Sequence, residues 1–174
     1  MANLSYITGV DASSSYVRVG HNSSAYNNDA VWSFTPTEDT SKITVVLYWD
    51  NEAAGTGWSG THTYVFALST SKASGRTAAS GTHLKKVTKS LNGAEGSVVL
   101  TFDGLSLSAG TTYYLRANLN GTTYSTMKAF KKSGNTVTTT ASSLNLIFNG
   151  EPVKKINFNG QAVTSLVFNG TKVF

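Results

Sequence analysis

The sequence predicts an all-β protein: a β-sandwich, of the jelly-roll or immunoglobulin-like kind, with a C-terminal β-hairpin repeat appendage. Gly, Ser, Thr and Asn are abundant, while charged residues make up only 13% of the 174 residues. That mixture suits short strands and turns better than helices. Short runs of β-branched and aromatic residues recur along the chain, and an Asn-Gly unit occurs three times near its C-terminus with a period of ten residues.

Candidate strands are separated by clusters of Gly, Ser, Asn and Asp. They are predicted at 16–19, 30–34, 43–49, 63–68, 84–87, 98–102, 113–118, 127–130 and 136–140. Long polar loops are predicted at 50–60 and 71–81, and loops of this kind on a β scaffold usually carry binding. We therefore expect residues 1–140 to form the sandwich domain and residues 141–174 to form the repeat appendage.

One segment supports the sandwich directly. The run from Leu105 through Gly110 to Tyr113 resembles the Leu-x-x-Gly-Thr-x-Tyr segment of fibronectin type III domains and related sandwiches. The resemblance implies a tyrosine corner, in which the hydroxyl of Tyr113 bonds back to nearby backbone where the chain crosses between sheets. Ala109 stands where that pattern usually has proline. The segment indicates architecture and says nothing about a ligand.

The C-terminal repeat has a period of ten residues, at 146–155, 156–165 and 166–174. Asn-Gly accepts the positive φ angles of a two-residue type I′ turn, so each unit is predicted to be a β-hairpin. The turn residues are Asn149, Gly150, Asn159, Gly160, Asn169 and Gly170. Alternation then places one apolar stripe on each hairpin, formed by Leu146, Phe148, Val153, Ile156, Phe158, Val163, Leu166, Phe168 and Val173.

A single hairpin is too small to be stable alone, so this stripe must pack on something. The candidates are other subunits or partners, the repeats themselves, or the core of the main domain. We favour an assembly contact over a meander that merely caps the sandwich.

The Phe-Asn-Gly-x-x-Val array of residues 146–174 resembles short repeats that end many virion structural proteins of tailed bacteriophages. The resemblance implies a non-enzymatic virion component: tail, baseplate, fibre or capsid decoration. Its expected partners are copies of itself, as a homo-oligomer, and other virion proteins. It also implies synthesis in the host cytoplasm, followed by incorporation into the virion. No catalytic residue follows from the resemblance.

The composition excludes several kinds of protein and site. There is no cysteine, so disulfides and thiolate metal sites are excluded. No apolar run approaches the ~18 residues of a membrane span, and the first residues lack the pattern of a signal peptide. A virion protein needs no such signal, because lysis releases it. We expect no cofactor and no membrane partner.

The charge is unevenly distributed. Residues 1–70 hold two basic and six acidic residues, whereas residues 71–174 hold twelve basic and three acidic ones. A nucleic-acid interface is one interpretation of the basic half. The basic residues are mostly scattered singles and pairs, such as Lys85-Lys86 and Lys131-Lys132, and lysine on exposed strands is a common guard against edge pairing. We therefore expect no nucleic-acid partner.

No local motif predicts catalysis. His21, His62 and His83 lack zinc-ligand spacing, and no nucleophile-elbow Gly-x-Ser-x-Gly occurs. The acidic pairs Glu38-Asp39 and Asp50-Glu52 lie near predicted turns, where capping is the simpler role. Glycosidase chemistry needs two carboxyl groups across a cleft, and Ca²⁺ binding by 50–52 lacks EF-hand spacing. We expect the protein not to be an enzyme.

Aromatic residues near loops suggest the alternative function, a carbohydrate-binding module that recognises a bacterial surface glycan. An aromatic face beside polar groups is a general form of sugar site. The candidates are Trp58, Trp49, Tyr26 and Asp50. For Trp49 and Trp32, burial in the sandwich core is the preferred interpretation, and Trp58 is the one we expect to be exposed.

Overall fold

The computed structural model describes residues 2–21, 30–72, 82–119 and 126–142, and within the repeats residues 147–148, 151–152, 157–159, 161–162, 167–168 and 171–172. The chain divides into two compact units, Met1–Ala141 and Ser142–Phe174. The first unit contains two antiparallel sheets, and none of the described residues is helical. The predicted all-β class and the β-sandwich are thus confirmed. Among those residues there is no helix with the length and apolarity of a membrane span.

Every strand predicted in the first unit is present, most of them with somewhat different ends. The strands are β1 (Ala2–Asn3), β2 (Ser5–Thr8), β3 (Val10–Asp11), β4 (Tyr16–His21), β5 (Ala30–Phe34), β6 (Thr40–Asp50), β7 (His62–Ser69), β8 (Lys85–Leu91), β9 (Glu95–Phe102), β10 (Tyr113–Leu119), β11 (Thr126–Lys131) and β12 (Thr136–Ala141). The three N-terminal strands were not predicted, because they are too short to show a clear alternation.

Strand β6 is the centre of the first sheet. It pairs with β9 on one side and with β12 and β11 on the other. Strand β1 pairs with the outer side of β12, and β4 followed by β3 continues the sheet from β11. The second sheet has the order β2-β5-β10-β7-β8. All of these pairings are antiparallel, and most of them join strands that are not successive in the chain.

The core lies between the two sheets and centres on the ring of Phe130. Its centroid is 6.0–6.3 Å from those of Trp49 in the first sheet and Trp32 and Tyr64 in the second. Alternation along β6 sends Ile43, Val45 and Leu47 into the same core, where each is fully buried. Burial of a large apolar side chain contributes about 1.5–3 kcal/mol, so these inward rows specify which face of each sheet is covered.

Two described connections lead from one sheet to the other at one end of the sandwich, which we call the loop end. They are residues 51–61 and 92–94. The strand registers place them together, since Asp50 pairs with Glu95, His62 with Leu91, and Leu119 with Tyr64. Residues 22–29 and 120–125 lie outside the described part of the chain.

The tyrosine corner is at the opposite end, where residues 103–112 lead from β9 in the first sheet to β10 in the second. The hydroxyl of Tyr113 accepts a hydrogen bond from the backbone N–H of Ser108 at 2.8 Å. Gly110 has φ +72°, a left-handed value that favours glycine, and its N–H donates to the carbonyl of Pro36. The predicted bond from Tyr113 back to upstream backbone is confirmed.

In the second unit, pairs of two-residue strands face each other. The first repeat pairs β13 (Ile147–Phe148) with β14 (Glu151–Pro152), the second β15 (Asn157–Phe158) with β16 (Gln161–Ala162), and the third β17 (Val167–Phe168) with β18 (Thr171–Lys172). Each pairing leaves two residues, Asn-Gly, between its strands. Asn159 has φ +50°, as the first central residue of a type I′ turn requires. The remaining stripe residues (Leu146, Val153, Ile156, Val163, Leu166 and Val173) and five of the six turn residues lie outside the described residues.

Candidate functional site

Two buried polar side chains organise the loop end. The first is Asn51, which directly follows β6 and is fully buried. Its Oδ1 accepts a hydrogen bond of 2.7 Å from the backbone N–H of Ala129, and its Nδ2 donates to the carbonyl oxygen of Trp58. A buried amide must satisfy both its donor and its acceptor. Asn51 therefore ties the 51–61 loop to strand β11.

The second is Lys128 in β11, whose side chain is also fully buried. Its ammonium group donates to the carbonyl oxygens of Gly60 at 3.0 Å, Trp58 at 3.4 Å, and Gly93. These carbonyls come from two different connections, so one lysine joins the 51–61 loop to the 92–94 turn. Burial lowers the pKa of Lys128, because a desolvated ammonium is less stable in its charged form.

The 51–61 loop has its own internal bonds as well. The N–H groups of Thr56 and Gly57 both donate to the carbonyl of Asn51, and Gly55 and Gly57 adopt left-handed φ values of +69° and +62°. An exposed loop held only by solvent contacts would have many accessible conformations. Here the start, the middle and the end of the loop are each bonded to the sandwich or to the loop itself.

Trp58 is held within this framework. Its side chain is half-buried rather than fully exposed, and its carbonyl accepts from both Asn51 and Lys128. Two buried donors thus fix the position of the Trp58 backbone, from which the indole extends. This places an aromatic residue, partly open to solvent, at the loop end, beside the 92–94 turn that Lys128 also holds.

The other candidate sugar-binding residues have different positions. Trp49 is 5% exposed and packs against Phe130, so its face is not open to a ligand and the core interpretation is confirmed for it. Trp32 is fully buried as well. The carboxylate of Asp50 accepts from the N–H of Ala53 at 2.8 Å, which is a turn-capping role. Tyr26 lies outside the described residues.

His62 is the first residue of β7, lies close enough to Lys128 to feel its charge, and is half-buried. Burial and, secondarily, the positive charge of Lys128 lower the pKa of its imidazole. The lowered pKa favours the neutral ring, which donates from one nitrogen and accepts at the other. Its Nε2 lies 3.0 Å from the position that a Cβ on Gly60 would take, so His62 adds a polar group at the Gly60 end of the loop.

The two acidic pairs considered for catalysis lie at opposite ends of the sandwich, Asp50 with Glu52 at the loop end and Glu38 with Asp39 away from it. Asp39 lies at the opposite end of the sandwich, where its Oδ1 accepts from the N–H of Ala109 at 2.9 Å. The side-chain oxygen of Asn51 is buried and engaged with Ala129, which removes it from any Ca²⁺ site built on residues 50–52. Among the residues with described positions, no three His, Cys, Asp or Glu side chains are grouped to hold a metal ion.

Sequence reasoning missed Asn51 and Lys128 as the residues that fix the loop. For Lys128 a signal was present, because alternation in β11 puts it on the same face as the buried Phe130. A lysine at an inward position is uncommon unless its charge is satisfied. For Asn51, a polar residue at the end of a strand carries no comparable signal.

No family model matches the chain, and no curated protein matches it.

Proposed function

We propose that this chain is a non-enzymatic structural protein of a bacteriophage virion, located in the tail, baseplate, fibre or capsid decoration, which assembles with copies of itself and with other virion proteins. The observation that carries the proposal is the threefold Phe-Asn-Gly-x-x-Val repeat. Its support is the resemblance to repeats that end virion proteins of tailed phages, together with the hairpin pairing of Phe148 with Glu151, Phe158 with Gln161 and Phe168 with Thr171.

The physical argument concerns the apolar stripe. Each described hairpin pairs only two residues on each side, which is below the size that is stable alone. Burying one phenylalanine side chain contributes about 1.5–3 kcal/mol. Three phenylalanines at identical positions of three units therefore offer a repeated apolar contact that a partner chain can cover. A cap on the core of the main domain is the competing explanation.

Light scattering of the purified chain tests the assembly role. We expect a defined oligomer for residues 1–174 and a monomer for a truncation ending at Ala141, which retains the whole sandwich unit. Replacing Phe148, Phe158 and Phe168 together by Ser should also give a monomer.

The matched control replaces their polar partners Glu151, Gln161 and Thr171 by Ala and should leave the mass unchanged. A full-length chain that is already monomeric, or an oligomer that survives the phenylalanine substitutions, would remove self-assembly through the repeats. The virion role is tested separately, by mass spectrometry of purified phage particles from the organism that encodes the chain. Its absence from such particles would reject that role.

A second candidate function is glycan recognition at the loop end. The observation that favours it is the half-buried Trp58, whose backbone is held by the buried donors of Asn51 and Lys128. A rigidly placed aromatic ring loses little conformational entropy when a sugar stacks on it. A receptor-binding virion protein would combine both functions.

Titration calorimetry with bacterial surface glycans tests this candidate. Trp58→Ala should abolish binding while the circular dichroism spectrum stays the same. Trp58→Phe keeps a flat aromatic ring and should retain most of the affinity. Binding by Trp58→Ala equal to that of the unaltered chain would exclude Trp58 as a contact residue.

A further inference from the structure

The edges of the two sheets differ in how well they are protected against pairing with another chain. An edge strand exposes unpaired backbone N–H and C=O groups, and proteins usually blunt it by shortness, irregularity, charge or proline. In the first sheet, the edge strands β1 and β3 have only two residues each. In the second sheet, β2 has four residues and a register shift, and β8 carries Lys85, Lys86 and Lys89.

Strand β9 has none of these protections along most of its length. It has eight residues and pairs with β6 on one side only; no strand within the described ranges pairs with its other side. Its single charged residue is Glu95 at the start, and it contains no proline. From residue 96 to residue 102 the strand is uncharged and continuous in register with β6.

The outward face of β9 is apolar at its centre. Val99 is 53% exposed, and Tyr48 on the neighbouring strand is 39% exposed. The register pairs Val99 with Val46 and Ser97 with Tyr48, so the exposed valine and tyrosine are diagonal neighbours across the strand pair. An exposed apolar group beside an unguarded backbone edge is a combination that favours strand addition.

We propose that β9 pairs antiparallel with β9 of a second copy of this chain, about a twofold axis at Val99, so that the first sheet continues across two subunits. A twofold interface must be complementary to itself, and β9 meets that condition. Around Val99 the strand reads Ser97-Val98-Val99-Leu100-Thr101. This order is symmetric about Val99, because an apolar residue and then a hydroxyl residue follow on each side. In the antiparallel arrangement Val99 faces Val99 and Ser97 faces Thr101 of the other copy.

The burial of the side chains also matches between the two copies. Val98 and Leu100 are buried, whereas Ser97, Val99 and Thr101 are exposed. Opposite residues in an antiparallel pair lie on the same face, so in this register buried positions oppose buried positions and exposed positions oppose exposed ones. A shift by one residue would place exposed Val99 opposite buried Leu100, so that the solvent face of one sheet continued into the core face of the other.

This contact is distinct from the repeats and does not depend on them. A single strand pair buries less than the ~800 Å² per partner of a standard interface, so on its own it is weak. If the repeats also join the subunits, they raise the effective concentration of β9 edges and strengthen the pair.

The absence of cysteine from the chain allows a direct test by disulfide trapping in the full-length protein. Opposite residues of an antiparallel pair have Cα atoms about 4.5–5.5 Å apart, within the range that a disulfide spans. Oxidised Val99→Cys should therefore give a covalent dimer. Val99 is exposed, so the substitution leaves the core intact.

Thr101→Cys is the matched control on the same face of the same strand. In the proposed register, residue 101 of one copy lies opposite residue 97 of the other, which puts the two copies of residue 101 roughly 13 Å apart, beyond disulfide reach. We expect on the order of tenfold less dimer from Thr101→Cys than from Val99→Cys. An equimolar mixture of Ser97→Cys and Thr101→Cys should give a mixed disulfide that neither variant alone forms.

The same trapping is repeated in the chain that carries Ser at positions 148, 158 and 168. A Val99→Cys dimer in that background would show edge pairing even where repeat assembly has been removed or never existed. Equal yields from Val99→Cys and Thr101→Cys, or no dimer from either in both backgrounds, would overturn the pairing of β9.

Discussion

Asn51→Ala tests whether a buried amide holds the loop end in place. The Asn51 side chain is fully buried and joins two segments that are far apart in sequence, through Ala129 and Trp58. The substitution removes both hydrogen bonds and adds no charge. Its consequence is therefore set by what happens to the two partners.

The magnitude follows from their burial. Ala129 is fully buried, so its N–H loses its partner without gaining water, and an unsatisfied buried donor costs about 1–3 kcal/mol. The carbonyl of Trp58 still accepts from Lys128, so losing its second bond costs only about 0.5–1 kcal/mol. The free energy of unfolding should fall by roughly 1.5–4 kcal/mol, counting both losses.

Urea unfolding followed by tryptophan fluorescence measures this loss, since Trp32 and Trp49 are buried reporters. The midpoint should fall while the slope with urea concentration stays the same. Asn92→Ala is the matched control, because Asn92 is exposed at the same loop end and its Oδ1 accepts from the Thr61 hydroxyl at 2.7 Å. That variant should lose less than about 1 kcal/mol. Equal losses in the two variants would refute the role given to Asn51.

Further predictions concern two other residues. Tyr113→Phe keeps the ring against Phe34 but removes the hydroxyl that accepts from the Ser108 N–H. It should lower the free energy of unfolding by about 0.5–1.5 kcal/mol. If the control Tyr114→Phe is equally destabilising, the hydrogen bond between Ser108 and Tyr113 contributes nothing. Because burial lowers the pKa of Lys128, the unfolded chain binds more protons than the folded chain between the lowered pKa and the ordinary value of about 10.4. In urea titrations, the free energy of unfolding of the unaltered chain, compared with that of Lys128→Met, should therefore rise with pH across that window. The control Lys89→Met replaces an exposed lysine, and its free energy of unfolding should follow that of the unaltered chain at every pH. Parallel pH profiles for all three proteins would contradict the burial of the Lys128 ammonium.

The positions of the strands followed largely from local pattern. The Ile43 to Trp49 run became the centre of β6, and the Ala30 to Phe34 strand has its predicted ends. These segments combine β-branched and aromatic residues with turn residues at their borders, so their local preference agrees with their place in the sandwich. Tyr113 was predictable for a similar reason, because its partner Ser108 is only five residues away.

The position of Trp58 was harder to predict. Its surroundings of Gly and Ser suggested full exposure, yet the ring is half-buried. Gly60 and Gly93, whose carbonyls accept from the Lys128 ammonium, are supplied by separate connections. Loop composition carries no information about such contacts, because they arise only when distant strands are brought into register.

By itself, the sequence determined the fold class, the placement of most strands, the tyrosine corner and the two-residue Asn-Gly spacing of the repeats. Each depends on alternation or on bonds between residues close in the chain. Tertiary structure alone decided that Asn51 is buried under the loop end, which carbonyl groups the Lys128 ammonium meets, and that β9 is a long edge strand among the described strands. Burial and edge position depend on which strands become neighbours, and those contacts join residues as far apart as Asn51 and Ala129, 78 positions along the chain.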